Sequence, residues 1–289
     1  MTIKDERAAA APKEEPKLTT PKAENKEPMS LATTALALTK MADRLVKANE
    51  TQDAWGFNMV LAGHHGVGKT VLASSAQDSQ WGKDVIIIDI DGGSRSISDR
   101  GDVTLFRPTS WSEIGQIYEY LANEKHSFKT IVIDSLTEAQ KIGLDKIKAE
   151  GGHDSTSLPD YGKSNDQIIA MARAFRTISQ TKGCHVIFTT LLTEEKDSST
   201  GVVLLRPALT PKAALGVCGA VDAVVYLQAE EGGERVLVMR PNNRIVAKVR
   251  QPRSGPQIPH ELRGDDITMD AILKIAVQQG KNKEEKESN

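Results

Sequence analysis

Cysteine is nearly missing from this 289-residue chain: Cys184 and Cys218 are the only two. With no CxxC spacing between them, the sequence supports neither a disulfide framework nor a zinc site. They read as small core residues of a reducing compartment. Aromatics make up only 4% of the residues, three Trp, four Tyr and five Phe, and no stretch interleaves them with cations. A broad base-stacking surface is therefore not written in the sequence. Net charge is missing too: 37 Lys and Arg stand against 39 Asp and Glu, so overall charge does not announce a polyanionic partner. Apolar runs such as Val85–Ile88 fall far short of the roughly 20 residues of a membrane helix, and the N-terminus, MTIKDERAAAAPKEEPK, has no apolar block of a secretory signal. The expectation is a soluble protein of the cytoplasm with no membrane partner.

What is present divides the chain. Residues 1–29 hold six basic and six acidic residues and four prolines with almost no large apolar side chains, the composition of a disordered tail. Residues 280–289 read the same way. Between them, residues 30–279 amount to one domain. It opens with an amphipathic helix over 30–48, where Leu31, Leu36, Leu38, Met41, Leu45 and Val46 recur at near-helical spacing. That helix packs on its own core or serves as an oligomerisation arm.

From residue 57 onward, short β-rich runs alternate with helical segments. Strands are expected at Phe57–Leu61, Val85–Ile90, Thr130–Ile133 and His185–Thr189, and helices from Lys69, near Trp111–Asn123 and near Asp166–Gln180. Such alternation implies a mostly parallel sheet flanked by helices, an α/β class. The rhythm then changes. Ala223–Gln228, Val236–Met239 and Arg244–Val249 are separated by turn signals rather than helices, which predicts a C-terminal antiparallel meander.

Gly63-His64-His65-Gly66-Val67-Gly68-Lys69-Thr70 fits G-x-x-x-x-G-K-[ST] between an apolar run and a helix-compatible stretch that begins with Val71. This is the Walker A context: glycines let successive backbone N–H groups turn toward phosphate oxygens. Lys69 would reach the β- and γ-phosphates of ATP, and the Thr70 hydroxyl would ligate Mg²⁺. His64 and His65 occupy tolerant positions of the nucleotide-binding loop. The second metal carboxylate is expected at the end of an apolar strand, and Thr130-Ile131-Val132-Ile133-Asp134 supplies Asp134. In sequence, a further strand ending Asp89-Ile90-Asp91-Gly92-Gly93 lies between the two, and Asp91 is the expected water-orienting base, with Asp89 second. Asp89-x-x-Gly92 also fits a GTPase DxxG, but no NKxD guanine-reading motif follows.

Arg235, Arg240, Arg244, Lys248, Arg250 and Arg253 fall within 19 residues that contain no acid. In a strand, Lys248 and Arg250 share one face and could meet one phosphate. Either a subunit interface or a nucleic-acid backbone would satisfy such charge.

The succession of P-loop, IIIDIDGG, TIVIDSLTEA, DYGKSNDQI, HVIFTT and RIVAKVR resembles the RecA-like ATPases of bacteriophages, in particular the Sak-type recombinases. The resemblance covers residues 57–252. It implies a RecA-like P-loop ATPase fold, and a recombinase acting on single-stranded DNA in homologous recombination or strand annealing. It also implies a homo-oligomer, filament or ring, in which Lys248 and Arg250 act on a neighbour's nucleotide, and a possible single-strand-binding or annealing protein as partner. The DNA path would be lined by counterparts at residues 149–163 and at residues 191–212, with Arg206 and Lys212. Where RecA places a γ-phosphate-sensing glutamine, just after the strand ending at Thr189, this chain has Thr190 and Leu191, so sensing would fall to Thr189 or Thr190. An alternative function is a nucleotide-switched protein-assembly ATPase that does not bind DNA.

Overall fold

The computed structural model describes residues 56–196, 201–250 and 257–281. The expected tail over 1–29, the helix over 30–48, the tail residues 282–289 and Arg253 lie outside the described residues. Residues 280 and 281, expected in the tail, are the last two of a helix.

Among the described residues, eleven strands and six α-helices follow in order. They are β1 Asn58–Gly63, α1 Lys69–Ser74, β2 Val85–Asp89, β3 Thr104–Phe106, α2 Trp111–Asn123, β4 Thr130–Asp134, α3 Leu136–Gly151, α4 Leu158–Lys182 and β5 His185–Thr190, then β6 Leu192–Lys196, β7 Val203–Pro207, α5 Pro211–Ala220, β8 Ala223–Ala229, β9 Arg235–Val238, β10 Lys248–Val249, β11 Glu261–Arg263 and α6 Met269–Lys281. The main sheet runs β11-β9-β8-β1-β5-β4-β2-β3, with β10 also on β8. From β8 to β3 the pairings are parallel; β9, β10 and β11 pair antiparallel. This is the expected α/β class, a mostly parallel sheet with a C-terminal antiparallel edge.

The central parallel strands β1, β2, β4, β5 and most of β8 are buried and largely apolar because helices cover both faces. Successive side chains alternate between two cores. Val60, Ile86, Ile88, Ile131, Ile133, Val186 and Phe188 face the core built with Ile114, Leu136, Ile168 and Phe175 of α2 to α4. Met59, Leu61, Val85, Ile87, Val132 and Ile187 face the core built with Leu72 of α1 and Leu273 of α6. Continuing that alternation, Asp89, Asp134 and Thr189 project on the α1 face, while Thr190 projects on the other.

Helix ends follow local chemistry. Ser110 and Ser135 accept the N–H of Glu113 and Glu138, each at 3.3 Å, at the starts of α2 and α3. The Asp160 carboxylate accepts the Ser157 N–H at 2.8 Å at the start of α4. Gly152 and Gly183 close α3 and α4 at φ 66 and 67°, a left-handed conformation that favours glycine.

The expected helix from Lys69 forms, with six residues before a 3₁₀ turn over Ser75–Asp78. Three expectations change. The strand Arg244–Val249 contracts to Lys248–Val249, because residues before it leave the β8 edge: Ile245 bridges Leu205 of β7, and Leu205 N–H donates to Arg244 O at 2.8 Å. Residues 149–163 are mostly helix, with the end of α3 and start of α4 leaving only 152–157 as loop. Among the described residues of 191–212, β6 and β7 pair antiparallel and α5 begins, in place of an open loop.

His185, at the start of β5, gives the fold a pH dependence. Its Nδ1 accepts the Phe57 N–H at 3.0 Å, and Nε2 lies 3.1 Å from Trp81 O. A carbonyl can only accept, so Nε2 carries the proton and Nδ1 must stay bare. Burial, with nearby Lys129 adding to it, pushes the imidazole down to about 4, against a weaker pull upward from Trp81 O. A histidine held neutral in the folded state stabilises the fold fully above its unfolded pKa near 6.5, and that stability is lost as pH falls toward 4. Urea unfolding should show about 3 kcal/mol lost over that window. His185→Gln, less stable at neutral pH, should have a flatter acid slope; an unchanged slope would remove His185 as its cause.

Candidate nucleotide-binding site

The site lies where β1, β4 and β5 end at the sheet's carboxyl edge, the usual place for a ligand in an open α/β sheet. Gly66 and Gly68 take φ of 70 and 100°, left-handed values that bend the loop after β1. His64 and His65 are exposed, as tolerant positions should be, and Val67 is buried against the α1 core. Val71, on α1, is 39% exposed. The Lys69 ammonium donates to the loop carbonyls of Gly63 and His64 at 3.0 and 2.9 Å. Burial lowers its pKa, opposed by the charges of Asp134 and Asp91.

The parity of the strands brings the oxygen ligands together. Thr70 Oγ1 donates to Asp134 Oδ2 at 2.6 Å, and Thr189 Oγ1 donates to Asp134 Oδ1. Both Asp134 oxygens are thus oriented on the α1 face, and the carboxylate is only 2% exposed. Thr190 lies on the opposite face, where its hydroxyl is 3.1 Å from that of Thr137. Thr137 in turn accepts the Leu191 N–H at 3.1 Å, tying the start of the β6–β7 hairpin to α3.

The strand carrying Asp89 and Asp91 intervenes in sequence but not in space. β5 lies between β1 and β4, whereas β2 sits beyond β4. The crossover order decides this, and its consequence is that β2 approaches Asp134 from the far side. Asp89 pairs in register with Asp134, and the N–H groups of Ile90 and Asp91 reach Asp134 O at 2.6 and 3.3 Å. The two aspartates then differ. Asp89 is buried and takes the Arg107 Nε at 3.3 Å, while Arg107 Nη2 donates to Ser94 Oγ at 3.0 Å. Asp91 is exposed and accepts the Gly93 N–H at 3.0 Å. Partial burial of the carboxylate and then Asp134 raise its pKa, against the Gly93 bond; Asp89 raises it further, and Lys69 opposes. Arg107 and Ser94 escaped the sequence reading, since no motif spacing marks them.

The donor set fits a magnesium nucleotide. Thr70 and Asp134 offer hard oxygens, in carboxylate-rich surroundings, beside a phosphate-binding loop. Among the described residues no group of three or more His, Cys, Asp or Glu side chains could hold a metal by itself. A site that depends on one carboxylate, a hydroxyl and substrate phosphates agrees with that.

Lys248 and Arg250 do not join this site. Lys248 pairs with Val224 near the start of β8, and Arg250 N–H donates to Asp222 O one step below. Asp222 N–H donates to Asn58 O, so Arg250 lies five residues of strand below Gly63, about 17 Å. Both side chains project on the face away from α1. Arg250 Nη2 donates to Gly219 O at 2.7 Å and its Nη1 lies 3.4 Å from Asp222 Oδ1. Burial lowers the Lys248 pKa, and the adjacent Arg250 lowers it further. Arg206 and Lys212 are paired with Glu195 and Asp166 at 3.1 and 2.9 Å. Cys184 and Cys218 are free, and burial raises both thiols, Cys218 to about 11. Among the described residues no helix is long and apolar enough to cross a membrane.

No curated protein is a significant match for the chain. Among solved structures, it is similar to a crystal structure of the RadB recombinase, at 16% identity and a TM-score of 0.43, over 68% of this chain and 92% of that one. Residues 56–251, which contain the loop, Thr70, Asp134 and the basic pair, match the model of the AAA domain family, and the chain belongs to that family of P-loop ATPase fold.

Proposed function

We propose that the chain is a Mg²⁺-dependent ATPase of RecA-like type that works as an oligomer on single-stranded DNA, a phage recombinase for homologous recombination or strand annealing. The observation that carries the ATPase reading is the joined Thr70, Asp134 and Thr189 cluster beside the P-loop. Thr70 and Asp134 would hold Mg²⁺, which when bound neutralises phosphate charge. Lys69 exchanges its loop carbonyls for phosphate oxygens. Asp91, exposed and with a raised pKa, orients the attacking water and accepts its proton. Lys248 and Arg250, out of reach of their own loop, supply positive charge to a neighbour's nucleotide.

Coupling to DNA is supported by continuity. Thr189 on Asp134, Thr190 on Thr137 and Leu191 on Thr137 are consecutive residues leading straight into the β6–β7 hairpin. A change at the phosphates can therefore reach the hairpin through one short stretch of backbone. The pairing of Arg206 and Lys212 with acids favours the second reading, a nucleotide-switched assembly ATPase that binds protein. Exposed pairs of this kind contribute about 0–1 kcal/mol, little enough for a DNA phosphate to displace.

The test is steady-state ATP hydrolysis with and without single-stranded DNA, beside Lys69→Ala. DNA should raise turnover, and Lys69→Ala should lose both basal and stimulated activity. Lys69-dependent hydrolysis indifferent to DNA would instead favour the assembly ATPase.

A further inference from the structure

Within the basic run of the sequence, Arg235 and the Lys248–Arg250 pair stand at opposite ends of β8. β9 and β10 share the outer edge of β8: Arg235 pairs with Ala229 near its carboxyl end, and Lys248 with Val224 near its start. Arg235 stands level with the second residue past Leu227, which is itself opposite Gly63. Seven strand residues, about 23 Å, separate the levels of Arg235 and Arg250. The faces differ as well. Leu237 packs in the α1 core, and Arg235, two residues away, projects to that same side.

The guanidinium of Arg235 reaches the phosphate-binding loop of its own chain. A Cβ on Gly68 would stand 3.2 Å from both Cζ and Nη1 of Arg235, so the group lies directly over the last glycine of the loop. Its acidic neighbours are occupied: Arg263 takes Glu230, Glu234 and Glu261 at 3.0, 3.3 and 2.8 Å. Among the described residues the Arg235 side chain makes neither an ion pair nor a hydrogen bond, and the residue is exposed. An arginine with five donors, held over a P-loop with no side-chain partner among the described residues, has the chemistry of a phosphate ligand.

We propose that Arg235 is a nucleotide-binding residue acting in cis, donating to the phosphate chain of a nucleoside di- or triphosphate on the β8 side of the loop. Asp134 and Thr189 lie on the β4 and β5 side of β1, where the γ-phosphate is read. Arg235 approaches from the other flank, so it serves ADP and ATP alike and holds nucleotide rather than sensing hydrolysis. This rests on the P-loop reading of the site and adds to it a residue outside the motif.

Calorimetric titration of the full chain with Mg-ADP and with a non-hydrolysable Mg-ATP analogue tests it, using wild type, Arg235→Ala, Arg235→Lys and Lys69→Ala. Arg235→Ala should weaken both nucleotides about tenfold and to similar extents. Arg235→Lys should recover part of that, and in turnover Arg235→Ala should raise KM more than it lowers kcat. If Arg235→Ala binds both nucleotides as wild type does while Lys69→Ala loses them, Arg235 is not a phosphate ligand and the P-loop reading survives. If wild type binds neither nucleotide, the P-loop reading falls and the assignment of Arg235 with it.

Discussion

Replacing Arg250 by alanine should leave nucleotide binding intact and slow ATP turnover by about 10³-fold or more, the usual worth of an arginine supplied across an interface. The expectation comes from position. Arg250 is at the wrong end of β8 and on the wrong face to reach its own Lys69. It is held outward by Gly219 O and Asp222, with nearly half its side chain exposed. Its neighbour Lys248 carries a like charge whose pKa is already lowered, so the pair gains by meeting an anion. Mixing Arg250→Ala with Lys69→Ala checks that the charge acts in trans. The first chain brings an intact loop, the second an intact basic pair, and mixed assemblies should recover activity that neither variant has alone. An Arg250→Ala chain with wild-type turnover would remove the interface cation, and a mixture with no recovery would place Arg250 in some other role.

Asp91→Asn should cost about 10²- to 10⁴-fold in turnover with nucleotide affinity little changed, as expected for loss of a general base. Asp89→Asn should behave differently. Asp89 is buried, and its Oδ2 is engaged by Arg107, so its loss disturbs the Arg107–Ser94 contact rather than the attacking water. The pH profile separates them further. A base must be deprotonated, and the Asp91 carboxyl is raised by burial and by Asp134, so activity should rise with pH through a limb above the ordinary carboxylate range. That limb should vanish in Asp91→Asn and persist in Asp89→Asn. The reverse result would make Asp89 the base.

These contrasts show which features are local and which are not. The P-loop, the strand ending in Asp134 and the Asp89-to-Gly93 turn are contiguous stretches, and their residue types and spacing name their own chemistry. The apolar strands were equally legible, because a parallel sheet covered on both faces leaves near-continuous hydrophobic runs. Even the placement of Asp89, Asp134 and Thr189 on one face follows from period-two alternation once the strands are known. α3 and the β6–β7 hairpin were not read. The first carries a weak apolar stripe, and the second has exposed Glu194, Glu195 and Lys196 where a buried strand would be apolar.

The sequence by itself determined the class of fold, the loop that cradles phosphates and the residue types around it, because each depends on neighbours within a dozen residues. The tertiary structure alone decided who meets whom across the sheet. Strand order put β5 between the P-loop and Asp134, left Asp91 exposed while tying Asp89 to Arg107, and set Arg235 and Lys248 at the two ends of β8. Those outcomes depend on crossovers and on which half of a shared edge each strand occupies, and residue spacing along the chain does not encode either.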